Sequence, residues 1–155
     1  MTARQDPADG PPLPSPPPAS SPAVRAVMQG NRRADTRPEV ALRSALHRAG
    51  LRFRKDAVLW PETRVRADAV FRRERVAVFI DGCFWHRCPE HGVMPATNRA
   101  YWEAKLERNT IRDRRNDALL RAVGWTVIRI WEHEDPEEAS RRIASLIRAH
   151  RATPS

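Results

Sequence analysis

Val76-Ala77-Val78-Phe79-Ile80 is apolar at every position. A strand with one face in water alternates polar and apolar side chains; a strand that does not alternate must be covered on both faces. The run therefore predicts a central strand with other elements packed above and below it, the layering of an α/β domain. The loop after this run is denser in chemistry than a simple turn needs. Asp81-Gly82-Cys83-Phe84-Trp85-His86-Arg87-Cys88-Pro89-Glu90-His91 combines a carboxylate, two thiols, two imidazoles and two adjacent rings.

The remaining elements assemble around that strand. Val65 to Phe71 reads as a strand, with 72–75 as the turn into the central one, and 51–55 and 125–131 read as two more. Thr36-Arg37-Pro38-Glu39 has the pattern of a capping box with proline in the first turn. It opens a helix to about Ala49, stopped by Gly50, with Leu42, Ala45, Leu46 and Ala49 as its apolar stripe. A charged helix is expected over 98–123, closed by Gly124. Asp135-Pro136-Glu137-Glu138 opens a last helix with Ala139, Ile143, Leu146 and Ile147 facing inward. Helix, three strands, helix, strand, helix is the order of a small mixed sheet with helices on both faces. Trp125 and Trp131 are expected in its core.

Residues 1–22 contain eight prolines and little that can be buried, so they read as a disordered tail. A short helix is expected over 23–34. The domain is placed at 23–150, with 151–155 as a short C-terminal tail. No apolar run is long enough to span a membrane, and the expected location is cytoplasmic.

The formal net charge is +9, and all but two of the 28 basic residues are arginine. A basic domain concentrates polyanions, and guanidinium groups match phosphate oxygens. A GC-rich genome also enriches arginine, so charge alone points only modestly to nucleic acid. The only cysteines, Cys83 and Cys88, share one loop, which favours a metal over a disulfide framework.

Asp68 lies within a strand, with Ala67 and Ala69 facing the other way. It either pairs with Arg54, Arg64 or Arg66, or holds a divalent cation. Asp81, at the end of the neighbouring strand, favours the cation, because two close carboxylates repel unless they share one. Glu39 fits the reciprocal position of a capping box, yet it also lies on the edge of the buried helix stripe, where it can face the same site. Cys83-x4-Cys88-x2-His91 has zinc-ligand spacing, and His133 is the natural fourth donor. His86 either competes for that metal or, if zinc takes His91 and His133, is left to act as a general base or acid. Phe84, Trp85 and Trp102 are core residues or rings that enter a base stack. Along the charged helix, pairs such as Asp117 with Arg121 stitch a solvated face, or some cations face phosphates.

Phe79-Ile80-Asp81-Gly82-Cys83-Phe84-Trp85-His86, followed by Pro95-Ala96-Thr97, Tyr101-Trp102, Lys105, Asn109, Arg112-Asp113, Gly124-Trp125 and Trp131-Glu132, resembles the very-short-patch-repair (Vsr-type) DNA mismatch endonucleases over about residues 24–150. The resemblance implies a restriction-endonuclease-like fold: a mixed sheet flanked by helices, with a structural zinc loop. It implies a Mg²⁺-dependent nick in one strand beside a T:G mismatch left by deamination of 5-methylcytosine. Asp68 then corresponds to the metal-binding aspartate, Glu39 to the helix-borne glutamate and His86 to the catalytic histidine, and Ile80 lends its main-chain carbonyl to Mg²⁺. Phe84, Trp85 and Trp102 correspond to an aromatic wedge. The N-terminal helix, with Arg25, Met28, Arg32 and Arg33, lies against DNA.

The chain departs from that pattern in two places. Asp81 stands where the family has a second active-site histidine. The zinc donors are shuffled, with Cys88 and His91 in place of a different His/Cys pair and His133 in place of a cysteine. The expected partner is double-stranded DNA carrying a mismatch, bound by a monomer in the cytoplasm at the nucleoid, with mismatch-repair proteins as candidate partners. The alternatives are a related nicking nuclease with a different DNA trigger, or a zinc-containing DNA-binding module that does not cleave.

Overall fold

The computed structural model describes residues 13–19, 21, 22, 25, 35–60 and 64–153. Helix α1 spans Arg37–Arg48, strand β1 Arg54–Trp60, β2 Val65–Phe71, β3 Val76–Asp81, helix α2 Arg99–Ala122, β4 Thr126–Trp131 and helix α3 Pro136–Ala152. The sheet runs β1-β2-β3-β4, antiparallel through β3, with β4 parallel to β3. A parallel neighbour needs a long crossover, which α2 supplies. The helix expected over 23–34 falls, except for Arg25, among undescribed residues, as do Met28, Arg32 and Arg33 and most of the expected tail.

The chain divides into two compact units. One, the sheet unit, comprises residues 33–82 and 116–155; the other, the knuckle unit, comprises residues 83–115 with the described residues of the first 32.

The sheet unit buries both faces of its sheet. On one face Leu42 and Leu46 of α1 and Ala139, Ile143 and Ile147 of α3 cluster with Phe71, Val76 and Val78. On the other, Leu120 clusters with Val70, Ala77 and Phe79. β3 is buried from Val76 to Phe79, as an unbroken apolar run requires. Asp135 caps α3 by accepting hydrogen bonds from the Glu137 and Glu138 N–H groups at 3.4 and 3.3 Å.

Some local expectations change. The strand expected at 51–55 lies instead at Arg54–Trp60, because pairing with β2 carries it past Lys55-Asp56 to Trp60; cross-strand contacts override weak local preference. Trp125 and Trp131 are half-buried. Ala67 and Ala69 do not share a face: Ala67 belongs to the cluster of Leu59 and Phe79 and Ala69 to that of Leu42 and Phe71. Between the pairs Lys55↔Ala69 and Ala57↔Ala67 lies Asp56, with φ 43°. The regular pleat is therefore broken opposite Asp68. Among the described residues no helix is long and apolar enough to cross a membrane.

Candidate active site

In the sheet unit, the β2–β3 ladder ends at the pair Ala69↔Val78. Beyond it, the Ile80 N–H donates to Asp68 Oδ2 at 2.7 Å. A side chain thus takes a bond that a continuing ladder would give to a carbonyl. One strand residue presents its N–H and C=O to the same edge, so the Ile80 carbonyl faces the edge where Asp68 sits. Burial pushes the Asp68 carboxyl up to about 6, aided by the charges of Glu39 and Asp81 and opposed by the Ile80 N–H and Arg43. A carboxyl disfavoured as an anion by like charges is one that a hard cation would relieve.

Glu39 reaches this neighbourhood from the first turn of α1 and is 7 % exposed. Its Oε2 accepts the Asp35 N–H at 2.7 Å and its Oε1 the Thr36 hydroxyl at 2.9 Å. Thr36 is the N-cap residue but its side chain caps no backbone N–H, and Glu39 takes the N–H of the residue before it, so neither half of the capping box forms. Arg43, one turn on, is buried. Its Nη1 lies 3.5 Å from Glu39 Oε2, and its Nη2 pairs with Asp35.

Asp81 closes β3 and is 6 % exposed. Arg129 Nη1 donates to its Oδ1 at 2.8 Å, while Arg129 Nε and Nη2 grip Asp117 at 2.9 and 2.7 Å. The guanidinium also lies 4.7 Å from the Phe79 ring centroid. Asp117 is therefore not the partner of Arg121 but one arm of a triad in which Arg129 is half-buried between two buried carboxylates. Arg66, one of the three arginines weighed as a partner of Asp68, bonds Asp56 at 2.8 Å instead.

In the knuckle unit Cys83 and Cys88 are buried and form no disulfide. The turn closes through Cys88 N–H to Cys83 O at 2.9 Å and Gly92 N–H to Cys88 O at 2.8 Å. The ligand atoms of Cys83, Cys88 and His91 lie within 4.8 Å of one another, a cluster able to hold a metal ion. Burial raises the Cys88 thiol pKa. The Glu90 and His91 N–H groups, the His91 ring and Cys83 outweigh that and hold it below the ordinary value, favouring the thiolate that binds metals. A Cβ at Gly92 would lie 2.6 Å from Cys88 O and 3.0 Å from Cys88 N. Gly92→Ala is expected to destabilise the knuckle by about 1–3 kcal/mol, read as metal release to a chelator at lower denaturant; unchanged release would contradict this. His133 belongs to the sheet unit, exposed, its ring 6.4 Å from that of Trp131.

His86 Nδ1 lies 2.6 Å from Asp113 Oδ2. A carboxylate at Nδ1 fixes the tautomer and orientation that leave Nε2 as the basic nitrogen. Phe84, Trp85 and Trp102 are half-buried and meet edge to face, with centroids 5.0–6.1 Å apart. The Lys105 ammonium stands 5.5–5.7 Å from the Trp85, Tyr101 and Trp102 rings. Next to it, Lys105, Arg108, Asn109 and Arg112 line a cavity of about 290 Å³ with Leu13.

Residues 20–90 match the family model described as DNA mismatch endonuclease Vsr. The chain is 54% identical over 114 residues to the type II nicking enzyme V.NaeI of Lentzea aerocolonigenes, covering 72% of this chain and 69% of that protein. It is 43% identical over 112 residues to the type II nicking enzyme V.XorIIP of Xanthomonas oryzae pv. oryzae, covering 71% and 79%. The chain belongs to the Vsr family. To the DNA mismatch endonuclease Vsr of Escherichia coli (strain K12) it is 39% identical over 100 residues, covering 63% of this chain and 62% of that one. As a Vsr-family member it is an endonuclease, a hydrolase of phosphodiester bonds in DNA. The mixed four-stranded sheet with its helices is the restriction-endonuclease-like architecture of that family.

For a Vsr-family chain, the sheet unit gathers Glu39, Asp68, Ile80 and Asp81, and the knuckle unit gathers Cys83, Cys88 and His91, with the three wedge rings beside one another. Arg25 is exposed. Sequence reasoning missed Arg43, Asp113 and Arg129. Asp113 stood in the family-like run Arg112-Asp113 without a role; Arg43 and Arg129 carried no signal among so many arginines.

Proposed function

We propose that this chain nicks one strand of duplex DNA beside a T:G mismatch produced by deamination of 5-methylcytosine, by Mg²⁺-dependent hydrolysis. The observation that carries the proposal is Asp68 seated in the broken β2–β3 ladder, with Glu39 and Asp81 pressing on its charge. Carboxylate and carbonyl oxygens are the donors Mg²⁺ prefers, so the residues present fit the ion. Asp68 and the Ile80 carbonyl would hold it. Bound there, Mg²⁺ supplies charge stabilisation at the scissile phosphate and the leaving oxygen.

The chain's own groups do the rest. Glu39 and Asp81 accept hydrogen bonds from water and order it. His86 takes the proton of the attacking water at Nε2, and Asp113 orients the ring and stabilises the imidazolium. Phe84, Trp85 and Trp102 enter the duplex where unstacking costs least, at a mispaired step. Arg25, Met28, Arg32 and Arg33 bind along the DNA. Zn²⁺ held by Cys83, Cys88, His91 and His133 braces the loop that carries His86 and two of the rings. The enzyme acts as a monomer in the cytoplasm at the nucleoid, alongside mismatch-repair proteins.

Trp85→Ala and Trp102→Ala are each expected to weaken binding of a T:G duplex by about 1–3 kcal/mol, with a smaller loss on matched DNA, in fluorescence anisotropy. Equal losses on both duplexes would remove the wedge. The function itself is tested by a strand-labelled cleavage assay on T:G and matched duplexes, with Mg²⁺ or EDTA. A Mg²⁺-dependent nick in one strand of the T:G duplex alone is expected; a bound but intact duplex would favour the non-cleaving module.

A second reading has specific support, since relatives at 54% and 43% identity bear the name type II nicking enzyme. Under it the chemistry is the same and the trigger differs. Other mismatches and varied flanking bases in the same assay decide between the two.

A further inference from the structure

Three carboxylates at the candidate site, Glu39, Asp68 and Asp81, are accompanied by two buried or half-buried guanidinium groups. Arg129 is bound to Asp81 and shared with Asp117. Arg43 is different. Its side chain is 9% exposed, its Nη2 is held by Asp35, and its Nη1 is buried with no hydrogen-bond partner among the described residues. Glu39 Oε2 is 3.5 Å from that nitrogen but is already bonded to the Asp35 N–H at 2.7 Å. A buried donor left unbonded is costly. Here Nη1 brings charge to the carboxylates without making a bond. The same charge lowers the Asp68 pKa, against the push of Glu39 and Asp81.

Resting on the nuclease reading above, we propose that Arg43 is a built-in counter-charge that keeps the affinity of the carboxylate site for a divalent cation low until DNA is bound. Arg43 and Arg129 offset part of the carboxylate charge in the free protein, while Asp35 and Asp117 draw on the same two guanidinium groups. The scissile phosphate adds further negative charge when DNA docks. Cation and DNA then bind cooperatively, and linkage makes the effect reciprocal. Arg43 is a positioning residue in this scheme: it acts through Glu39 and Asp68 and need not touch the substrate.

The test is calorimetric titration of Mg²⁺ into the full chain, free and bound to a pre-nicked T:G duplex that cannot be cut again. Wild type is expected to bind Mg²⁺ about tenfold or more tightly with DNA present. Arg43→Gln is expected to raise the affinity of the free protein by about tenfold and to shrink the coupling, while Arg43→Lys keeps the wild-type pattern. A merely structural Arg43 predicts a loss of metal affinity in Arg43→Gln, along with a lower melting temperature. That result, or a wild-type affinity that is the same with and without DNA, overturns the proposal; the wild-type comparison stands even if Arg43→Gln fails to fold. Failure of the nuclease reading looks different: no Mg²⁺ uptake by any protein in either state, which overturns both.

Discussion

Asp68→Ala is expected to lower the nicking rate by roughly a thousandfold or more, the size of several kcal/mol of lost charge stabilisation. Duplex binding by the same variant should stay within about twofold, because the role proposed for Asp68 is to hold the ion and not to bind the DNA. A variant that nicks at a tenth of the wild-type rate or better would remove Asp68 from the centre of the mechanism. Asp68→Asn separates chemistry from folding. A carboxyl held at about 6 instead of 3.8 disfavours the fold by up to about 3 kcal/mol once it ionises. The sign follows from the raised value: Asp68 imposes no cost below about pH 4, the cost grows between about pH 4 and 6, and it is level above 6. Metal-free Asp68→Asn should therefore be more stable than wild type at pH 8 and equal to it at pH 4, while inactive at both. Mg²⁺ should stabilise wild type and leave the variant unmoved. Equal stability of the two proteins at every pH would mean that the Asp68 site is not strained by charge.

Loss of the knuckle metal is the second large effect. Structural zinc sites contribute about 10–16 kcal/mol of apparent binding energy at neutral pH, far more than a turn of this length can supply. The purified protein is expected to carry one zinc per chain by elemental analysis. The Cys83→Ser, Cys88→Ser double variant should carry none and should lose nicking with it, because His86, Phe84 and Trp85 stand on the loop that the proposed zinc would brace. His133→Ala should weaken retention of zinc, and His86→Ala should leave it intact while abolishing nicking. Zinc lost from His86→Ala and kept by His91→Ala would exchange the roles of those two imidazoles. A wild-type protein without zinc would end the assignment.

Much of this architecture was legible because the strongest signals were local. The apolar run at Val76 to Phe79 is what a strand covered on both faces requires, and Val65–Phe71 with the turn after it reads as its hairpin partner. Gly50 and Gly124 mark helix ends because both take positive φ, 79° and 87°. The strand Arg54–Trp60 was not legible in full, since Lys55-Asp56 carries no strand signal and its partner lies far along the chain. At the site, Asp68, Glu39 and Asp81 could be picked out because a carboxylate is unusual at a strand or stripe position. The charges that govern them could not. Among 28 basic residues, nothing local marks Arg43 as buried or Arg129 as half-buried, and Asp117 looks like a surface partner of Arg121 until β4 presents Arg129 to it. Asp113 is one more acid on a charged helix until His86 meets it at 2.6 Å. Ion pairing between distant elements is a tertiary property, and spacing rules for helices describe only the solvated alternative.

The mechanism depends most on one cation held between Asp68 and the main chain of β3. Anomalous diffraction from crystals of the chain with a pre-nicked T:G duplex, soaked in Mn²⁺, tests that directly. A single peak in contact with Asp68 and the Ile80 carbonyl, with the Ile80 N–H still on the other Asp68 oxygen, is predicted. A Mn²⁺ peak bound elsewhere, or an Asp68 carboxylate in contact with a guanidinium and no ion, would contradict it.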